Sequence, residues 1–178
     1  IRDSSQAEAN GFTFKQTGDT QNHQLRLERV VHRDTLSKTS VNTGLAYLRS
    51  NNFIENSKLA ASSNRLSEAQ LGINHGRRVG TAFVNVDLGM QQGTGAFDAQ
   101  SGRTTSPGDP DARYRKYSLT LSYLQPFRIG AESFSFNSLA TGQRSEDPLY
   151  SPQRMSLSGL SSIRGFKDQT LSGDSGAH

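Results

Sequence analysis

Arg164 is the residue whose type and setting point most clearly to a specific contact. It stands in the run Ile163-Arg164-Gly165-Phe166, directly after a strand-like stretch. An arginine presents a planar fork of five donors that pairs bidentately with a carboxylate, so one contact can both hold and orient a loop tip. Gly165 permits a bend or a close backbone approach, Phe166 supplies an aromatic anchor and Ile163 adds a small apolar contact. The motif predicts a docked loop tip; the alternative is that Arg164 only stabilises the fold.

No other residue set has the spacing of a catalytic or metal site. A nucleophile-elbow pattern and a phosphate-binding glycine loop are both missing from the sequence. The four histidines lie far apart, without the spacing of metal ligands: His23, His32, His75 and His178. We therefore predict no enzyme activity, no metal and no cofactor.

Two further motifs have ordinary structural interpretations. Gly93-Thr94-Gly95 follows a strand pattern and opens no helix, so it predicts a hairpin loop and not a nucleotide site. Arg77-Arg78 is typical of a strand end near a turn, although the pair could also line an interior channel. The formal net charge of +4 is spread over the chain without a long basic run, which argues against nucleic acid as a partner.

The elements that must position these residues are short strands with a side-chain period of two. Tyr117, Leu119, Leu121 and Tyr123 alternate with serine and threonine, and Pro126-Phe127 closes the run. Residues 82–90 alternate in the same way, with only Phe83 out of phase. Phe134 and Phe136 form a third, shorter run. Weaker alternations cover residues 12–17, 25–31, 41–49, 69–75 and 155–159, and all of these runs are too short for helices.

Composition restricts what such strands can build. The chain has 178 residues with 32% hydrophobic content and a mean hydropathy of −0.66, far too polar for helices that cross a membrane. A soluble β-sandwich is usually richer in valine, isoleucine and leucine. A transmembrane β-barrel needs apolar residues only at alternate positions, because its lumen is wet. We therefore predict an all-β fold, an antiparallel transmembrane β-barrel.

The connections and the composition agree with an exported barrel. Residues 92–111 predict a long exposed loop, residues 124–130 predict a tight turn, and the polar tail 167–178 predicts another loop. Long loops at one end and short turns at the other are typical of outer-membrane barrels. The chain has no cysteine, which suits an oxidising compartment. Residue 1 is not methionine, so we expect any signal peptide to be removed or to lie outside this stretch.

Several motifs occur in an order that resembles a known family, the outer-membrane transporters of two-partner secretion (TpsB), also called haemolysin secretion and activation proteins. Each motif is weak alone, but their shared order covers nearly the whole chain. The motifs are His32-Arg33-Asp34 with Lys38-Thr39-Ser40, residues 71–80, residues 93–97, residues 123–127, residues 145–150 and Ile163-Arg164-Gly165-Phe166.

The resemblance implies a sixteen-stranded barrel that is fed by periplasmic POTRA domains and exports a large partner exoprotein without ATP. That cargo would be a haemolysin, an adhesin or a contact-dependent toxin. In the family, a long extracellular loop folds into the lumen, and the arginine at its tip meets an acidic residue of the barrel wall. Here the tip is Ile163–Phe166, its partner lies beyond this chain, and the loop holds the pore in a transport-competent shape. Residues 1–160 would be barrel and 161–178 the start of that loop.

At about 9 to 11 residues per crossing, the chain is expected to supply about half of such a barrel. We expect it to be a fragment in a Gram-negative outer membrane, in contact with lipid and exoprotein and with no small-molecule substrate. Tyr47, Tyr117 and Tyr123 would lie in interfacial aromatic girdles. Two other functions fit the pattern: a barrel-assembly protein with a similar loop, or a passive porin. The alternation predicts lumen-facing side chains at Asn85, Asp87, Ser118, Thr120 and Asn137.

Overall fold

Antiparallel strands make up almost all of the computed structural model, which describes residues 2–9, 12–55, 57–59, 63–99, 109–158 and 170–178. A 3-10 helix, Ser151–Gln153, interrupts the strands near the C-terminal end. The strands are β1 (Arg2–Ala9), β2 (Phe12–Arg33), β3 (Ser37–Ile54), β4 (Ser57–Lys58), β5 (Asn64–Val79), β6 (Ala82–Thr94), β7 (Arg115–Ile129), β8 (Glu132–Ser145), β9 (Met155–Ser158), β10 (Thr170–Gly173) and β11 (Gly176–Ala177). No helix in these described ranges is long and apolar enough to span a membrane.

The long strands form one sheet in which neighbours in sequence are mostly neighbours in space. Its order is β1-β2-β3-β5-β6-β7-β8-β11, with β4 beside β3, and β9 and β10 form a separate two-stranded ribbon. Every pairing is antiparallel. The chain therefore runs up and down in successive hairpins, which confirms the all-β antiparallel prediction.

The two faces of the sheet differ in chemistry. On the apolar face, the register places Ile73, Leu88 and Leu119 side by side, and these side chains are 47%, 50% and 45% exposed. On the polar face it aligns Ser40 with Asn74 and Asn74 with Asp87, whose Oδ2 accepts a hydrogen bond of 3.1 Å from Asn74 Nδ2. Ser40 is only 2% exposed. The apolar side chains are thus largely exposed and the polar ones largely covered, the reverse of a water-soluble sheet.

The turns at one end of the sheet are short because local residues favour them. Two-residue turns join β5 to β6 and β7 to β8, and each has a glycine with positive φ at its first position, Gly80 (62°) and Gly130 (61°). This is the arrangement of a type II′ turn. Between β2 and β3, Asp34 Oδ1 accepts the backbone N–H groups of Leu36 and Ser37 at 2.7 and 2.6 Å. These bonds, with His32 and the Ser37 hydroxyl, hold the pKa of Asp34 well below its ordinary value.

Some local expectations differ from the structure. The tight turn predicted at residues 124–130 is wrong, since β7 continues through Pro126-Phe127 to Ile129 and the chain turns only at residues 130–131. Pro126 lies beyond Leu124, the last β7 residue paired with β6, so no β6 ladder needs its missing N–H group. The tail contains β10 and β11, where the sequence predicted a loop. Phe83 does lie out of phase, on the polar face, where its ring covers Gly76.

The predicted long loop between β6 and β7 begins only after Thr94 and is not exposed throughout. Gly93 remains in β6, and its N–H donates to Tyr114 O at 2.8 Å. A Cβ added to Gly93 would lie 2.0 Å from Ala112 O. Ala112 and Tyr114 are buried, at 1% and 0% exposure. The absence of a side chain at Gly93 therefore lets the loop return onto the polar face.

Replacing Gly93 by alanine should destabilise the protein by about 1 to 3 kcal/mol, because the collision is with backbone and cannot be relieved by a rotamer change. Gly95→Ala is the matched control, since nothing lies within 4 Å of a Cβ there. The measurement is the urea concentration at which half of the full-length protein in detergent is unfolded. The folded and unfolded fractions are read from their different migration on a gel. Equal midpoints for the two variants would contradict this packing.

Candidate functional site

The predicted tip Ile163–Phe166 lies outside the described residues, but the two legs of the hairpin that carries it are described. In the ribbon, β9 pairs with β10 from Ser158↔Thr170 to Met155↔Gly173. Residues 159–169 connect the legs, so Arg164 lies at the centre of the connection. After β10 the chain returns to the sheet, where β11 pairs with β8.

The base of this hairpin is closed by side chains. Arg154 Nε lies 3.1 Å from Asp174 Oδ1 and 3.0 Å from Leu149 O. The same carboxylate oxygen accepts the Leu149 N–H at 3.1 Å. Arg154 and Asp174 are 35% and 34% exposed, and Leu149 is fully buried. Arg154, Asp174 and the Leu149 backbone therefore form one hydrogen-bonded group, which we call the loop base.

The 3-10 helix that precedes the first leg rests on the polar face of the sheet. Lys116 Nζ at the start of β7 donates to Gln153 Oε1 in the 3-10 helix. Nearby, the Tyr114 hydroxyl donates to Glu68 Oε1 at 2.6 Å. Glu68 is 6% exposed, yet its carboxylate has this donor and Gln70 Nε2 at 3.5 Å. Burial, together with the Glu68 charge, raises the pKa of Tyr114 above its ordinary value, so the phenol remains a donor.

A polar cavity of about 350 Å³ separates the 3-10 helix from the sheet. Its walls combine amide, acid, lysine and leucine side chains, and Gln91 Oε1 is buried there without a protein partner. A cavity of this size and polarity can hold several waters. Its lining residues are Asn22, Gln24, Ala46, Leu48, Leu66, Glu68, Gln70, Gln91, Lys116, Pro152 and Gln153.

The five residues predicted to face a lumen share one face of the sheet. Asp87 pairs with Thr120, Ser118 pairs with Gly89, and Asn137 pairs with Leu124. Asn85 lies two positions before Asp87 on the same strand, so it shares this face. This is the polar face, and it is the face on which Glu68 and Lys116 also lie. The register thus brings these residues together across β6, β7 and β8.

Sequence reasoning missed the residues around the loop base and beneath the first leg. Glu68 and Tyr114 are 46 positions apart, and nothing local indicates their contact. One feature of the sequence could have indicated the loop base. Arg154 and Asp174 carry opposite charges and lie ten residues before and ten residues after Arg164. Such symmetry around a loop tip favours a closed hairpin. No group of three histidines, aspartates or glutamates within the described ranges could hold a metal ion.

Tyr114→Phe should destabilise the full-length protein by about 2 kcal/mol, since it removes a donor from a buried carboxylate. Tyr117→Phe, on the apolar face with a 44% exposed side chain, should have little effect. Because the folded Tyr114 keeps its proton where an unfolded tyrosine loses it, the wild-type advantage should shrink as pH rises past 10.0. Urea midpoints across this pH range provide the measurement. Similar losses for both variants would contradict the contact.

Comparison with protein families matches almost the whole chain to one family. The model of the haemolysin secretion/activation proteins ShlB/FhaC/HecB matches residues 2–178. The outer membrane transporter CdiB of Dickeya dadantii is 32% identical over 94% of this chain and 29% of its own length. The hemolysin transporter ShlB of Serratia marcescens is 33% identical over 89% of this chain and 28% of its own length.

Solved structures agree with these relatives. CdiB from Escherichia coli superimposes with a TM-score of 0.91 at 30% identity, over 99% of this chain and 32% of that one. CdiB from Acinetobacter baumannii has a TM-score of 0.80 at 25% identity, over 99% and 30% of the two chains. The chain spans less than a third of the length of these proteins. The sheet is part of a β-barrel, as the sequence predicted, and the chain belongs to the haemolysin secretion/activation family of two-partner secretion transporters.

Proposed function

We propose that this chain is part of an outer-membrane transporter of a Gram-negative bacterium, which secretes a large partner exoprotein by two-partner secretion. The observation that carries the proposal is the family match over residues 2–178. The exoprotein would be a haemolysin, an adhesin or a contact-dependent toxin. The proposal is one of transport: no catalytic step is assigned to any residue.

The two faces of the sheet supply the chemistry that such a transporter needs. The apolar face, with Leu88 and Leu119 half exposed, matches lipid. The polar face is mostly amide and hydroxyl groups, and it would line the path of the exoprotein. Such scattered neutral groups can replace water along an extended chain without binding one segment tightly. Asn85, Asp87, Ser118, Thr120 and Asn137 are the lumen-facing residues in this proposal.

The hairpin that carries Ile163–Phe166 is proposed to hold the pore in a transport-competent shape. The segment between β8 and its first leg packs on the polar face through the contact of Lys116 with Gln153. Arg164 at the tip would then reach an acidic residue of the barrel wall, outside this chain. Residues 1–160 would be barrel and residues 161–178 the start of this loop, with β10 and β11 as its return to the sheet.

Single cysteines in the full-length protein test the face assignment, because this chain has none of its own. Thr120→Cys should react with a membrane-impermeant maleimide, since its side chain would face a water-filled lumen. Leu119→Cys, the adjacent residue on the apolar face, should be shielded by lipid. Equal labelling of both positions in intact outer membranes would contradict the assignment.

Arg164→Ala should sharply reduce secretion of the neighbouring exoprotein by the full-length transporter, while the amount of folded barrel in the outer membrane stays unchanged. Arg164→Lys should recover only part of the activity, because an ammonium group lacks the planar fork. Arg144→Ala is the matched control, since Arg144 is 77% exposed. Unchanged secretion by Arg164→Ala would refute the role of the tip, and loss of the barrel itself would make the role structural.

A further inference from the structure

The two charged residues of the loop base extend the β9–β10 ribbon by one more residue pair. The ladder of β9 and β10 ends at Met155↔Gly173, so Arg154 and Asp174 are the next residues on the two legs. Their side chains meet at 3.1 Å. Oppositely charged residues that face each other across antiparallel strands stabilise the pairing. The ion pair thus closes the hairpin at the point where backbone pairing stops.

The hairpin needs such a contact because its own ladder is short. Only four residue pairs join β9 to β10. An isolated two-stranded ribbon is marginal in water, and longer sheets or side-chain contacts are needed for it to persist. The half-buried state of Arg154 and Asp174 reduces the screening that weakens exposed pairs.

Gln143 connects this closed base to the barrel wall. It lies on the polar face of β8, and its Nε2 donates to Gln153 O, just before the first leg, and to Asp174 O, just after the second, both at 3.1 Å. A single wall residue therefore holds both legs. On the same strand, the Ser145 N–H donates to Ser175 Oγ at 2.9 Å, which anchors the return to β8.

We propose that Arg154, Asp174 and Gln143 are positioning residues, which close the β9–β10 hairpin at its base and fix both of its legs to the polar face of β8. This inference rests on the transport function proposed above. The legs must stay closed for secretion, since the hairpin that they form is the element proposed above to hold the pore in a transport-competent shape. The ion pair joins two residues of the same chain, and it affects secretion through the hairpin that it closes.

The first measurement reports on the base without any transport. Ser156 and Ser172 are exposed and paired across the ribbon, so cysteines at both positions should form a disulfide readily in the full-length protein. Arg154→Ala or Asp174→Ala should slow this oxidation several-fold, because the legs separate more often. The exchanged pair, Arg154→Asp with Asp174→Arg, should restore part of the rate, because it re-forms the ion pair but loses both hydrogen bonds to the Leu149 backbone. Arg144→Ala, which removes the 77% exposed partner of Glu146, is the control and should leave it unchanged.

The second measurement is secretion of the exoprotein, with barrel abundance followed in the same membranes. Arg154→Ala should lower secretion several-fold at unchanged abundance, and the Ser156–Ser172 disulfide should restore it until a reductant is added. A disulfide that itself blocks secretion in the otherwise wild-type protein would overturn the proposal. Normal oxidation together with normal secretion in both single variants would also overturn it. Slowed oxidation together with normal secretion would do the same.

The two proposals fail in distinguishable ways. If the wild-type transporter exports no exoprotein, the proposed function fails, and the oxidation rates still decide whether the ion pair closes the base. If the wild type secretes but Arg154→Ala and Asp174→Ala do so equally well, transport stands and the positioning role fails. The exchanged pair separates a specific ion pair from a simple loss of folding, since a misfolded variant would not be rescued by exchange.

Discussion

The backbone hydrogen-bond ladder between neighbouring long strands is the interaction on which the rest of this structure depends. In a bilayer, no water is available for an unpaired N–H or C=O group, so each strand must be satisfied by its neighbours. The continuous antiparallel register from β1 to β8 meets this requirement across the sheet. Because the ladder determines the position of each strand, it also determines which side chains share a face. An apolar face and a polar face then follow from one alternation.

The polar face acquires a second layer at the end of the sheet that carries the long loops. There the loop before β7 returns over Gly93, and the segment after β8 lies against Lys116. Buried side chains concentrate at this end, with Tyr114, Leu149 and Leu66 at 1% exposure or less. Packing of loops on the inner wall, and not a core between two sheets, therefore creates the main buried region in the described part of the chain. The same packing provides the support for the hairpin legs.

Most strand positions were predictable because alternation is a local property, although no alternation marked β1, and β2 joins the two runs 12–17 and 25–31 in one strand. Tyr117 to Tyr123 and residues 82–90 each repeat with a period of two, and lipid permits few exceptions on the outer face. Strand ends were less predictable. Pro126 is a strand breaker in a central position, but here it lies past the end of the β6 pairing and is tolerated. The tail 170–178 is polar and glycine-rich, yet it pairs with β9 and β8, because backbone hydrogen bonds between strands do not require apolar side chains.

By itself, the sequence determined the antiparallel β class, the polar and apolar sets of side chains and the family, because each depends on residues close together in the chain. Only the tertiary structure decided which distant groups meet. Glu68 and Tyr114, 46 residues apart, pair because strand register and the returning loop bring them to the same depth on one face. Arg154 and Asp174 pair because a hairpin closes between them. Contacts of this kind depend on three-dimensional register, which no local pattern of side chains records.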